Sequence, residues 1–176
     1  VEGYTDVVSM HQCGIENVVA NSGTALSIFQ IKLLRRFTSN IVLLYDGDEA
    51  GQHAALRGTD MLLSEGMNVK VLLLPDGKDP DELARNLTAE AFRKYIEENQ
   101  TDFIVFKINV LLKGVTDPVK RSEAINSIVQ SIAVIKDPIL RDTYLRECVH
   151  RTGMKENTLI AQMNRFIYND REQQRK

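Results

Sequence analysis

IVLLYDGDEAG, residues 41–51, runs five apolar or aromatic residues into two aspartates separated by one glycine, and then into a helix-forming stretch. An uninterrupted aliphatic run of this length reads as a strand covered on both faces, the kind found in parallel α/β sheets. In such sheets ligands sit beyond the carboxyl ends of the strands, where Asp46 and Asp48 fall. Two neighbouring carboxylates repel, and each rises in pKa unless a positive charge lies between them; a divalent metal supplies one. The same residues also suit a turn and a helix cap, because Asp-Gly favours turns and aspartate favours N-caps. On this pair alone both readings stay open.

Outward from that stretch, Ile15–Ala20 (IENVVA) and Asn68–Leu74 (NVKVLLL) are also strand-length and rich in Val, Ile and Leu. Between them Ser27–Phe37 and Glu49–Gly66 are helical by length and apolar spacing, through Ile28, Ile31 and Leu34, then Ala54, Met61 and Leu62. Gly66 stands where a helix C-cap belongs. Strands alternating with helices predict a parallel sheet flanked by helices. Val1, ahead of Glu2 and Gly3, reads as the last residue of a truncated first strand, so the sequence is expected to be a piece of a longer protein.

From about Thr88 onward there is no comparable strand. Ile125, Ile128, Val129 and Ile132 follow helical spacing, as do Leu140, Tyr144, Leu145, Cys148 and Val149, and then Leu159, Ile160, Met163 and Ile167. Asp117-Pro118 and Asp137-Pro138 open two of these helices, an acidic cap followed by proline at the first helical position. The expected division is an α/β domain over 1–87, a small all-α helical bundle over 88–170, and a polar tail over 171–176.

The chain has 176 residues, 43% hydrophobic, with 22 basic against 24 acidic side chains and a net charge of -2. No run of 18 apolar residues and no signal-peptide pattern occurs, which predicts no membrane association and a cytoplasmic location. Cys13 and Cys148 lie far apart without a partner motif, so neither a disulfide framework nor a zinc site is expected. His11, His53 and His150 have no metal-binding or catalytic spacing. A whole-chain basic signature for nucleic acid is absent. Lys32, Arg35 and Arg36 read as a solvated helix face, while Arg57 and Lys78 lie near the acidic motifs and are candidate nucleic-acid contacts.

Three further stretches gather at the expected strand ends. Glu2 and Asp6 in VEGYTD stand about one helical turn apart if a helix begins at Tyr4. NSGTA, residues 21–25, places Ser22, Gly23 and Thr24 ahead of a helix, the composition of a phosphate-cradling turn. DGKDPDE, residues 76–82, follows the NVKVLLLP strand. There Asp79-Pro80 with Glu82 reads as a capping device, and a metal role for the acids it leaves over stays open.

EGYTD, SGTA, YDGDEAG and LPDGKDPDEL, in this order, resemble the Toprim domain of bacterial DnaG-type DNA primases, and the helical half is similar to the helical subdomain of the primase RNA polymerase core. The resemblance implies a Toprim-type (Rossmann-like) sheet and synthesis of RNA primers from NTPs on a single-stranded DNA template by nucleotidyl transfer. It implies Glu2, Asp46 and Asp48 as catalytic metal ligands, with Asp6, Asp79 and Asp81 completing the cluster. The cofactor would be two or more Mg²⁺ or Mn²⁺ ions. Gly23, Gly47 and Gly51 match motif glycines, with Ser22 and Thr24 in the phosphate turn. A zinc domain and a basic polymerase part would lie upstream and a helicase-binding domain downstream, leaving this piece inactive alone in a bacterial replisome. Other Toprim enzymes (topoisomerases or nucleases), a phosphoacceptor signalling domain and a docking scaffold exposing Ile104, Phe106 and Val110 are the alternatives.

Overall fold

A computed structural model describes residues 1–22, 25–75 and 78–175, which form two compact units, Val1–Phe103 and Ile104–Lys176. The first unit contains α1 (Tyr4–Gln12), α2 (Ile28–Leu34), β1 (Asn40–Tyr45), α3 (Glu49–Ser64), β2 (Asn68–Leu73), α4 (Pro80–Asn86), α5 (Ala89–Asn99) and β3 (Thr101–Asp102). β1 and β2 pair in parallel, from Asn40 opposite Asn68 to Tyr45 opposite Leu73. β3 joins the far side of β2 in the antiparallel sense, so the sheet is mixed, with order β1-β2-β3. This corrects the all-parallel expectation.

The side-chain period of two sorts the strand residues between the two faces. Leu44 and Leu72 join Met10, Ile15, Leu83 and Phe92 in one core, which places α1, α4 and α5 on that face. Leu43 points the other way, close to Gly58 of α3. Only the last half of β1 is covered on both sides: Leu43, Leu44 and Tyr45 are buried, whereas Val42 is 40% exposed. Gly66 follows α3 at φ +77, a left-handed backbone that glycine adopts without strain.

Two further expectations change. Residues 15–20 form no strand; the segment is held to Val1 instead, through Val1 N to Val19 O at 3.1 Å and Asn21 N to Val1 O at 3.2 Å. The division between units falls after Phe103 rather than after residue 87, because Phe92 of α5 is fully buried in the α/β core and β3 pairs with β2.

The second unit comprises most of α6 (Phe103–Leu112), with α7 (Pro118–Ala133), α8 (Pro138–Thr152) and α9 (Glu156–Gln174). Asp117 and Asp137 cap α7 and α8 as expected: Asp117 accepts from Lys120 N, and Asp137 from Ile139 N and Leu140 N. Ile128, Val129, Ile132, Leu145, Cys148 and Leu159 fill the core, while Leu140 of the expected stripe is 36% exposed. Ile104 and Phe106 are buried, so they form no exposed docking stripe. The expected polar tail continues α9 to Gln174.

Candidate metal and nucleotidyl-transfer site

Parallel pairing brings the carboxyl ends of β1 and β2 level, and Leu74 N donates to Tyr45 O at 3.0 Å, carrying the ladder one step further. The two chains therefore leave the sheet at one rim. β1 leads straight into Asp46, Gly47 and Asp48. Asp48 is the N-cap of α3 and accepts from Gly51 N at 2.7 Å, so the capping role is real for this residue. Gln52 Nε2 holds the Gly47 carbonyl at 3.1 Å. The turn is so tight that a Cβ on Gly51 would lie 2.2 Å from the Asp46 carbonyl oxygen; glycine is required there by close backbone approach.

α1 begins at Tyr4, as its sequence predicted, with Gly3 as N-cap. Asp6 in its first turn is 8% exposed and accepts from Gly3 N at 3.0 Å. Its carboxylate thereby closes the helix start and faces inward, with Glu2 just ahead of it. Asp79 caps α4, accepting from Glu82 N at 2.7 Å, and Pro80 occupies the first helical position.

Electrostatics join these acids into one group. The Glu2 carboxyl is held above its usual range by desolvation and then by the charges of Asp46, Asp48 and Asp6. Asp46 is raised by desolvation and then by Asp48, Asp6 and Asp79. Acids from three stretches of sequence thus act on Glu2 and Asp46 at one rim. The Tyr45 hydroxyl lies beneath them; burial raises its pKa, the Glu2 charge raises it further, and Arg57 lowers it.

Hard oxygen donors under mutual repulsion are the chemistry that Mg²⁺ or Mn²⁺ relieves. Among the described residues no three His, Cys, Asp or Glu side chains close into a ready-made ion cage. Magnesium keeps several waters and shares its coordination with substrate phosphates, so a spread fan of carboxylates fits it better than a closed cage would.

Asp81 stands apart from the group. Its Oδ1 accepts from Ser9 Oγ and from Arg85 Nε at 3.1 Å, and its Oδ2 pairs with Arg85 Nη2 at 2.8 Å. Ser22 has φ 64, left-handed for a non-glycine residue, while Gly23 and Thr24 of the expected phosphate turn lie outside the described residues. Arg57 is exposed on α3 within electrostatic reach of Tyr45. Lys78 follows β2, with its backbone N–H donating to Pro75 O at 3.0 Å. Sequence reasoning missed Tyr45, Gln52, Ser9 and Arg85. An i,i+4 signal was present for Asp81 with Arg85. Ser9, 72 residues from Asp81, carried none.

Residues 1–84 match the Toprim-like family, and residues 104–157 match the DnaB-helicase binding domain of primase. The class of protein is thereby defined as a Toprim-bearing primase. A DNA primase from Clostridium acetobutylicum is 43% identical over 162 residues, covering 90% of this chain and 27% of the relative. A primase domain from Pseudomonas aeruginosa superposes with TM-score 0.79 at 29% identity, covering 96% of this chain and 53% of that one. A DnaG primase catalytic domain bound to ssDNA gives TM-score 0.75 at 34% identity, covering 85% of this chain and 50% of that one. The chain belongs to the DnaG-type DNA primase family. It spans about a quarter of the length of the curated relatives and about half of the solved cores.

Proposed function

We propose that this chain carries the metal-binding part of a primase nucleotidyl-transfer centre, acting in a longer enzyme that makes RNA primers from NTPs on single-stranded DNA in the bacterial cytoplasm. The observation that carries the reading is the carboxylate rim, in which Glu2 and Asp46 are raised by one another's neighbours Asp48, Asp6 and Asp79. Glu2, Asp46 and Asp48 are the principal ligands, with Asp6 and Asp79 at the flanks. Together these residues would hold Mg²⁺ in two or more copies, which would supply positive charge to offset the charge growing on the attacking and leaving oxygens of phosphoryl transfer.

The chain's own residues hold that rim in place. Gly51 lets the Asp46–Asp48 turn close. Asp48 is oriented by its bond to Gly51 N, and Asp6 by its bond to Gly3 N. Arg57, exposed on α3, and Lys78, just after β2, are the candidate contacts for nucleic acid or triphosphate. The 104–157 match supports a replicative helicase as a partner of the parent enzyme.

The test is Asp46→Asn in the full-length enzyme. Primer synthesis should be lost while circular dichroism and melting stay those of a folded protein. Normal primer yield from the folded variant would overturn the assignment.

A further inference from the structure

Asp81 belongs by sequence to the acidic series, but the structure employs its carboxylate elsewhere. Ser9 lies one turn after Asp6 on the inward face of α1 and is 9% exposed. Its hydroxyl donates to Asp81 Oδ1, while the Arg85 guanidinium takes both carboxylate oxygens, at 3.1 Å and 2.8 Å. Three of the four acceptor positions of this carboxylate are filled, and a cation already sits against it. A divalent ion there would have to approach a fixed positive charge. Asp81 is also absent from the charges that raise Glu2 and Asp46, whereas Asp79, two residues earlier, acts on Asp46. The Ser9 bond runs between the second turn of α1 and the first turn of α4, while the Arg85 pair lies within α4 and holds the carboxylate for it. These are the helices whose starts carry Asp6 and Asp79.

We propose that Asp81 is a positioning residue and not a metal ligand: held in place by Arg85 of its own helix, it ties α4 to α1 through Ser9 and so sets the spacing between the Glu2–Asp6 and Asp79 sides of the rim. The inference rests on the metal-binding reading above.

The experiment titrates Mn²⁺ into the chain, following free ion by electron paramagnetic resonance, for the parent, Asp81→Ala, Asp81→Asn and Asp46→Asn. Asparagine keeps an oxygen that can accept from Ser9 and Arg85; alanine keeps none. The expected pattern is weakened Mn²⁺ binding in Asp81→Ala, recovery in Asp81→Asn, and a loss of about tenfold or more in Asp46→Asn, the scale on which metal sites respond to such changes. A comparable loss in both Asp81 variants would make Asp81 a ligand and overturn the proposal. Unchanged binding in both would overturn it too, leaving a purely structural contact. If Asp46→Asn binds as the parent does, the metal reading itself fails, an outcome separate from either Asp81 result. Should Asp81→Ala not fold, Ser9→Ala, which removes the α1 end of the lock alone, replaces it with the same expected weakening.

Discussion

In the α/β unit, the carboxyls of Glu2 and Asp46 are pushed out of their ordinary titration range in part by other acids; in the helical unit, the Cys148 thiol is pushed up by burial alone. Glu2 and Asp46 each feel three other carboxylates. Cys148 is fully buried, and its thiol is pushed up to about 11 by desolvation, opposed only by a hydrogen bond with Thr152. Both units use aspartate to start helices, at Asp48 and Asp79 in one and at Asp117 and Asp137 in the other. Capping is therefore common to both, and what marks the site is the crowding of the caps. A charge held near like charges stores repulsion that a bound cation can release, whereas a buried thiol stores only the cost of desolvation.

The largest expected effect comes from breaking the rim's turn. Gly51→Ala in a helix would ordinarily stabilise by about 1 kcal/mol. Here the clash with the Asp46 carbonyl should reverse the sign, to a loss of about 3 kcal/mol in urea unfolding, the upper part of the overpacking range. A stabilised variant would show that the turn is looser than described.

Next is the pH response of the helical unit. The folded Cys148 pKa lies above its unfolded value, so this stabilising contribution is complete below about pH 9 and is lost as pH rises towards about 11. A shift of this size corresponds to at most about 3 kcal/mol. Denaturant midpoints of the parent should fall across that window relative to Cys148→Ala, and parallel curves would remove Cys148 as the cause.

The caps give a smaller and more direct contrast. Asp117→Ala should cost about 1 kcal/mol of stability in thermal melts and leave Mn²⁺ binding unchanged. Asp48→Ala loses an equivalent cap but relieves repulsion on Glu2 and Asp46, so with chelator present it should cost less, while its Mn²⁺ binding falls. Equal losses in the two variants would mean the rim stores no repulsion. Smallest of all, Glu2→Gln should raise the melting temperature slightly in chelator, by less than about 1 kcal/mol for a group this exposed. A lowered melting temperature would count against the crowding.

Much of this was legible from sequence, because local chemistry fixes it. The aliphatic run into DGD announced β1 and its acidic exit, and the Asp-Pro pairs announced α4, α7 and α8. The resemblance implies Glu2, Asp6, Asp46 and Asp48 as parts of one cluster, and the charges acting on Glu2 include those of the other three. The sequence was silent on contacts that only chain folding creates. IENVVA has strand composition, yet its backbone bonds run to Met10 and Val1 and form no ladder. Thr101 and Asp102 have no strand signature and join β2 through tertiary placement. Asp81 looked like its acidic neighbours because a one-dimensional reading cannot see Ser9 arriving from 72 residues away.

Gly51 carries a last implication, about which sequences can display such a rim at all. With 2.2 Å between a hypothetical Cβ and the Asp46 carbonyl, any side chain there collides with the backbone that presents the acids. The position that most narrows the set of sequences able to build this rim thus carries no side chain at all. Grafting the acids onto another strand end without that empty position would transplant the functional groups and leave their arrangement behind.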